Sequence, residues 1–237
     1  MSLPRFELGE DLDIVDLSGC FGLRGRVLIS NILDADAVIR LSECLSNEEC
    51  WAASFASQEY GRRLLGLGRT RDSSITAAVE AAYRDHGAPY SHVFRAFPLS
   101  RYHKEQSEIA RLLQALCELF YSAPFAALVR KVTGFATLRV RAPVATRYEV
   151  GHFYATHTDS TGGMSHVASF VLNVSKRWEA QWGGLLQFVG AEGHVDEAYL
   201  PVFNSLSLFL ASCSHGVSMV APIAGGPRLS IAGQLVV

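Results

Sequence analysis

Charged residues are scarce in this 237-residue chain, and residues 198–227 contain none at all. A charge-free run of thirty residues is long enough to raise the question of a membrane-spanning helix. Pro201, Asn204, His215 and the Gly-Gly-Pro run at 225–227 interrupt it, and no apolar stretch reaches the roughly 18 residues that a span requires. The run therefore indicates buried β-structure and no membrane partner.

A surplus of basic charge is absent as well, since 21 Lys and Arg stand against 23 Asp and Glu. Affinity for nucleic acid depends on such a surplus, so we expect no nucleic-acid partner. The N-terminus lacks a basic segment followed by an apolar one, which predicts a cytoplasmic protein without a secretory signal.

Metal-site spacings of cysteine are also missing. The five cysteines are odd in number and form no C-x-x-C pair: Cys20, Cys44, Cys50, Cys117 and Cys213. We therefore expect core thiols and no cysteine-bound zinc.

What the sequence does contain is a change of periodicity near Gly134. Helical spacing predicts helices at 32–45, 75–83, 103–120 and 123–132. Later runs rich in Val, Leu, Phe and Ser predict strands at 137–140, 144–150, 166–174, 184–189, 205–210, 216–220 and 228–237. We predict an α+β fold in a single domain spanning 1–237. Its helix-rich part, about 1–134, buttresses a sandwich or barrel of antiparallel strands, about 135–237.

Two H-x-D triplets stand out, because composition alone predicts about 0.3 of them. His157 and Asp159 lie in a strand-like stretch, 151–159, so the two side chains project from the same face. The other triplet is formed by His194 and Asp196.

Only the first triplet is followed along the chain by further residues that suit a metal site. His215 follows it in a second strand-like segment, and Arg228 then opens the last predicted strand. Two histidines and one carboxylate leave positions of an octahedral metal open, an arrangement associated with non-haem Fe(II) oxygenases. Arg228 has apolar neighbours in sequence and is suited to bind a carboxylate.

Five stretches around these residues carry a family resemblance: TRYEVG at 146–151, WGGLL at 182–186, FNSLSLF at 203–209, HGV at 215–217 and RLSIAG at 228–233. Residues 144–237 resemble the double-stranded β-helix (jelly-roll) core of Fe(II)/2-oxoglutarate-dependent dioxygenases, particularly the prolyl-hydroxylase-like branch. The segment from about 50 to 130 matches no pattern.

The resemblance implies a set of site residues. His157, Asp159 and His215 would bind Fe(II) as the catalytic centre, and Arg228 would pair with the distal carboxylate of 2-oxoglutarate. Ser230 would share that carboxylate, and the hydroxyl of Tyr148 would point into the cosubstrate pocket. Both of these residues also fit a purely structural role. The implied reaction uses O2, converts 2-oxoglutarate to succinate and CO2, and hydroxylates an unactivated aliphatic C–H bond.

Two departures from the family pattern concern the substrate. Val171 stands where relatives commonly carry a tyrosine, and Gln234 replaces an aromatic residue near the end of the last strand. The implied substrate is a small molecule or a peptide, most simply a prolyl or other amino-acid-type compound. A free amino acid or small biosynthetic intermediate is the alternative, with hydroxylation, desaturation or cyclisation as the outcome. A non-catalytic jelly-roll binding protein is a remote third reading, and the oligomeric state stays open.

Two further groups carry weaker expectations. A basic cluster is either a solvated loop or a clamp for an anionic substrate group: Arg62, Arg63, Arg69 and Arg71. Three histidines are expected at loops or strand edges: His152, His166 and His194.

Overall fold

A computed structural model describes residues 5–47, 51–57, 61–65, 73–85, 88, 90–99, 107–160 and 165–237. Its helices within these ranges are α1 (Ile14–Arg24), α2 (Ala35–Asn47), α3 (Ser73–Arg84), α4 (Glu108–Phe120) and α5 (Ala123–Thr133). Its strands there are β1 (Arg26–Ser30), β2 (Ala52–Ser57), β3 (Gly61–Leu65), β4 (His92–Pro98), β5 (Arg139–Tyr148), β6 (Phe153–His157), β7 (His166–Asn173), β8 (Leu186–Val189), β9 (Val195–Tyr199), β10 (Ser205–Leu210), β11 (His215–Val217) and β12 (Arg228–Val236).

The strands form one sheet that curls into a nearly closed barrel. Its order is β1-β10-β7-β12-β5-β4-β6-β11-β8-β9, with β2 and β3 joined through β4. Each of these pairings is antiparallel. Residues from β10-β7-β12-β5 and from β6-β11-β8 line the same internal cavity. The predicted jelly-roll core is therefore confirmed.

Strand β12 separates the cavity from the helices. Leu229, Ile231 and Leu235 belong to the large apolar core that also contains buried side chains of α2, α4 and α5. Arg228, Ser230, Ala232 and Gln234 alternate with them and line the cavity, as the two-residue period of a strand requires. The helices therefore cover the outer face of this part of the barrel.

Local capping explains where two helices begin and end. Ser107 and Ser122 are the N-caps of α4 and α5, and their hydroxyls accept from the amides of Ala110 and Phe125. Gly134 ends α5 with a φ of 76°, a left-handed conformation that glycine adopts easily. No single helix in the described part of the chain is long and apolar enough to cross a membrane, and α4 with α5 passes that test only as a pair bent by 53°.

Several elements differ from the sequence expectation. β2, β3 and β4 come from the segment that matched no pattern, and they extend the barrel sheet through β5 and β6. The N-terminal part therefore supplies strands as well as helices. The two predicted strands at 137–140 and 144–150 are one strand, β5, which contains a bulge.

Two other expectations concern the cysteines and the basic cluster. No disulfide joins the cysteines that the structure describes, Cys20, Cys44, Cys117 and Cys213, whereas Cys50 lies outside the described residues. Arg62 and Arg63 belong to β3, but their side chains, like Arg69 and Arg71, lie outside what the structure describes. The two readings of the basic cluster therefore remain predictions.

A close approach in the barrel wall, at Gly233, gives a stability prediction. A Cβ added to Gly233 would lie 2.4 Å from the ring of fully buried Phe170, which packs against Phe120 and Phe125. We expect Gly233→Ala to lower the free energy of unfolding by about 1–3 kcal/mol, because the aromatic cluster has no room to shift. Denaturant unfolding checks this, with Gly226→Ala, whose Cβ would meet nothing within 4 Å, as the control. Equal stability of the two variants would contradict the packing argument.

Candidate metal centre

The pairing of β6 with β11 brings together the two histidines of the predicted triad. His157 and His215 are direct partners in this pairing, and both are buried. Asp159 follows β6, and its carboxylate oxygens lie 3.6 Å from Nε2 of His157 and 3.7 Å from Nε2 of His215. The three candidate ligand atoms all lie within 4.8 Å of one another, so one metal ion could contact them together.

The second H-x-D triplet lies in different surroundings. His194 and Asp196 are exposed at the start of β9. Among the described residues, they belong to no group of three or more potential metal ligands. Of the two triplets, only the one that precedes His215 and Arg228 therefore lies in such a group in the described part of the chain.

Both histidine rings of the triad are held by their Nδ1 atoms. Nδ1 of His157 lies 2.8 Å from the carbonyl oxygen of Ala155, and Nδ1 of His215 lies 2.9 Å from that of Cys213. A carbonyl oxygen only accepts, so each Nδ1 carries the proton and each Nε2 presents its lone pair to the cluster. Burial and the neighbouring His157 lower the pKa of His215 to about 4, which keeps that ring neutral near pH 7.

Asp159 is oriented by a short polar chain on β7. The hydroxyl of Ser169 donates to Oδ2 of Asp159 at 2.5 Å, and Nε2 of His166 lies 2.9 Å from the same hydroxyl oxygen. Because the Ser169 proton is used towards Asp159, the oxygen accepts from a protonated Nε2 of His166. Burial alone would raise the pKa of Asp159, but His157, His215 and Ser169 together hold it below its ordinary range.

Aromatic rings shield the triad. The ring of Tyr154 stacks on His157 with centroids 4.0 Å apart, and the ring of Phe209 lies 4.6 Å from that of His215. Such packing limits water around the imidazoles and restricts their rotation. Asp159 is the most accessible of the three, with 24% of its side chain exposed.

Arg228 places a guanidinium deep inside the barrel, where only 2% of the residue is exposed. Its Nη1 and Nη2 reach Ser230 Oγ and Asn173 Oδ1 at 3.4 Å each, and its buried Nε has no hydrogen-bond partner among the described residues. No carboxylate within the described ranges pairs with it. Burial lowers the pKa of this guanidinium below its ordinary value. A buried charge without a counter-ion is costly, so this end of the cavity favours an anionic ligand.

Hydroxyl and aromatic groups surround the guanidinium. The Ser230 hydroxyl lies 2.8 Å from Oγ1 of Thr146, and Tyr148 is the direct β5 partner of Arg228, with its ring 5.3 Å from the guanidinium carbon. Gly184 has a φ of 63°, and a Cβ there would lie 3.2 Å from Cδ of Arg228. Glycine is therefore needed beside the arginine stem.

One cavity of about 490 Å³ joins the triad to Arg228. Its wall is mostly apolar and includes Phe94, Tyr154, Val171, Leu186 and Phe209. The triad, Arg228, Tyr148 and Ser230 all line it, so the structure brings every sequence-predicted site residue to one place. Val171 contributes no hydroxyl to this wall, as its identity implies.

Three polar residues of the site were not identified from the sequence. His166 was expected at a loop or strand edge, but it is buried in β7. Ser169 and Asn173 are buried in the same strand. The alternation of Ser169, Val171 and Asn173 on one face was the available signal, but no spacing rule links them to Asp159 or Arg228.

Comparison with known proteins agrees with this geometry. Residues 144–236 match a sequence model of the 2OG-Fe(II) oxygenase superfamily. No curated protein matches in sequence.

Solved structures share the fold. A Pseudomonas putida prolyl-4-hydroxylase is 18% identical with a TM-score of 0.56, over 94% of this chain and 98% of its own. A Trichoplax adhaerens prolyl hydroxylase, solved with a hypoxia inducible factor oxygen degradation domain peptide fragment, is 15% identical with a TM-score of 0.59, over 94% and 88%. The epimerase SnoN, solved with Fe3+, alpha ketoglutarate and nogalamycin RO, is 14% identical with a TM-score of 0.57, over 94% and 83%.

These findings confirm the resemblance on which the sequence analysis relied. Residues 144–236, which contain the triad and Arg228, match the sequence model of the 2OG-Fe(II) oxygenase superfamily, and the whole chain shares its fold with solved structures of such oxygenases.

Proposed function

We propose that His157, Asp159 and His215 hold Fe(II) and that Arg228, with Ser230 and Tyr148, holds 2-oxoglutarate. The observation that carries the proposal is a single cavity with a three-ligand cluster at one side and, at the other, a buried guanidinium that pairs with no carboxylate of the described residues. Nitrogen and carboxylate donors suit Fe(II), and two histidines with one carboxylate leave positions for other ligands. When bound, the iron with 2-oxoglutarate supplies the oxidation of an unactivated C–H bond by O2.

The role of the protein's own residues in this chemistry is to position the metal ion and 2-oxoglutarate and to exclude water. Ala155 and Cys213 fix the histidine rings through Nδ1, and Ser169 fixes one oxygen of Asp159. Arg228 offers a planar pair of donors that matches the distal carboxylate of the cosubstrate. Bound there, the carboxylate also supplies the counter-ion that this buried cation lacks in the described part of the chain.

The proposed reaction is hydroxylation of an aliphatic carbon of a prolyl or other amino-acid-type substrate, with succinate and CO2 as co-products. The fold shared with two prolyl hydroxylases, one of them solved with a peptide, supports this substrate class. A small biosynthetic intermediate is the second candidate, and desaturation or cyclisation then joins hydroxylation as an outcome. The apolar Val171 in the cavity wall and the fold shared with SnoN, solved with nogalamycin RO, favour it.

Removing one triad histidine tests the metal site. We expect His157→Ala to lose most bound Fe(II) and all substrate-dependent succinate formation, because the cluster then retains only two ligands. Anaerobic metal titration and succinate measurement check this. His194→Ala, in the exposed second triplet, is the matched control and should behave as wild type. Robust turnover by His157→Ala would refute the proposed function.

The anion site has its own test. Arg228→Lys keeps the charge but loses the forked donor geometry, so we expect the 2-oxoglutarate concentration for half-maximal succinate formation to rise about 10- to 100-fold. Arg177→Lys, at an exposed arginine, should leave that value unchanged. An unaltered half-saturation in Arg228→Lys would place the cosubstrate elsewhere.

The hydroxyl that orients Asp159 is expected to matter for metal affinity. Ser169→Ala removes the 2.5 Å hydrogen bond to Oδ2, so we expect a dissociation constant for Mn(II) or Fe(II) that is about tenfold weaker. Ser207→Ala on the adjacent strand removes a buried hydroxyl that makes no hydrogen bond to the described residues, and it serves as the control. Equal metal affinities in the two variants would show that Ser169 does not position the carboxylate.

A further inference from the structure

Gln234 lies on the cavity face of β12, at the opposite end from Arg228. The two residues are separated by two inward-facing positions, Ser230 and Ala232, and six residues of strand span about 20 Å. Gln234 is the direct partner of Ser169 on β7, whose hydroxyl bonds the candidate ligand Asp159. Gln234 therefore lies on the triad side of the cavity, away from the proposed cosubstrate anchor.

The orientation of the Gln234 amide follows from its neighbour on β5. Nε and Nη2 of Arg141 both donate to Oε1 of Gln234, at 2.9 Å and 2.7 Å. A guanidinium has donors only, so the atom that faces it must be the amide oxygen. The Nε2 group keeps two N–H donors, and it makes no hydrogen bond to the described residues. The side chain lines the cavity and is half-buried.

The β-bulge in β5 places Arg141 in this position. The register between β12 and β5 shifts between Ala232 and Gln234, and Ala142 adopts a φ of 48°. An extra residue in one strand turns neighbouring side chains to new directions, and such bulges are frequent beside active sites. Ala142 and Ala232, whose side chains are small, line the same cavity as Gln234.

We propose that the Nε2 group of Gln234 is a binding subsite for an acceptor oxygen, a carboxylate or a carbonyl, of the primary substrate. The inference rests on the proposed function, because it assigns the Arg228 end of the cavity to 2-oxoglutarate. The substrate then lies between the triad and Gln234, and the cationic Arg141 behind the amide favours an anionic or strongly dipolar oxygen. The subsite thus selects a carboxylate- or carbonyl-bearing compound, such as a free amino acid or its amide.

Gln234→Glu gives a sharp test. One carboxylate oxygen of Glu keeps both bonds from Arg141, while the other can only accept, so the donor becomes an acceptor with little change in shape. Gln234→Met removes the donor without adding charge, and Gln187→Glu on β8, outside the cavity lining, is the matched control. Binding of three probes is measured on anaerobic protein loaded with Fe(II) and 2-oxoglutarate: L-proline, L-prolinamide and pyrrolidine.

Wild type and Gln187→Glu are expected to bind L-proline or L-prolinamide at least about tenfold more tightly than pyrrolidine, which lacks the acceptor oxygen. Gln234→Glu and Gln234→Met should lose that preference. Whichever of L-proline and L-prolinamide binds more tightly shows whether the preferred acceptor oxygen is that of a carboxylate or of a carbonyl. An unchanged preference in both Gln234 variants, or no preference or binding in wild type, would overturn the proposal. Failure to bind 2-oxoglutarate before any probe is added would instead refute the proposed function.

Discussion

The register of β12 against its two neighbours is the constraint on which the site depends. The polar side chains that β12 contributes to the cavity each have direct partners on the neighbouring strands: Arg228 with Tyr148, Ser230 with Thr146 and Asn173, and Gln234 with Arg141 and Ser169. Side chains alternate with a period of two, so a slip by one residue would turn Arg228 towards the helices and Leu229 into the cavity. The apolar contacts of Leu229, Ile231 and Leu235 with the helical layer fix that register. Packing outside the barrel thus determines chemistry inside it.

Electrostatics then divide the cavity into two ends. At one end, a buried guanidinium lacks a counter-ion within the described ranges, and its energy is lowered by any carboxylate that enters. At the other, two imidazoles and a carboxylate offer lone pairs to a cation, and burial with the neighbouring His157 lowers the pKa of His215. The apolar wall between the ends strengthens both interactions, because charges attract more strongly where water is excluded. A metal and a dicarboxylate therefore have complementary places in one small volume.

Much of this arrangement could be predicted from the sequence, and there are physical reasons why the remainder could not. The helical stripes of α2, α4 and α5 and the short apolar runs after Gly134 carry local periodicity, so their elements were predictable. The order of residues along the chain also shows a recognisable pattern, in which the triplet of His157 and Asp159 is followed by His215 and Arg228. The role of Ser169 leaves no such trace, because its hydrogen bond to Asp159 joins β7 to the residue that follows β6 only in the folded barrel. His166 acts through Ser169, to which it bonds, and its role is equally invisible in the sequence. β2 to β4 were missed because the alternation in these short strands is weak, and their pairing with β5 and β6 comes from tertiary contacts.

We propose that one cavity of the protein holds the metal at the triad and the cosubstrate at Arg228. A crystal structure of the protein grown anaerobically with Fe(II) and 2-oxoglutarate tests it most directly. We predict a metal ion bound by Nε2 of His157, Nε2 of His215 and the carboxylate of Asp159, with the distal carboxylate of 2-oxoglutarate on the guanidinium of Arg228. A metal bound at another cluster, or a 2-oxoglutarate carboxylate that does not contact Arg228, would contradict the account.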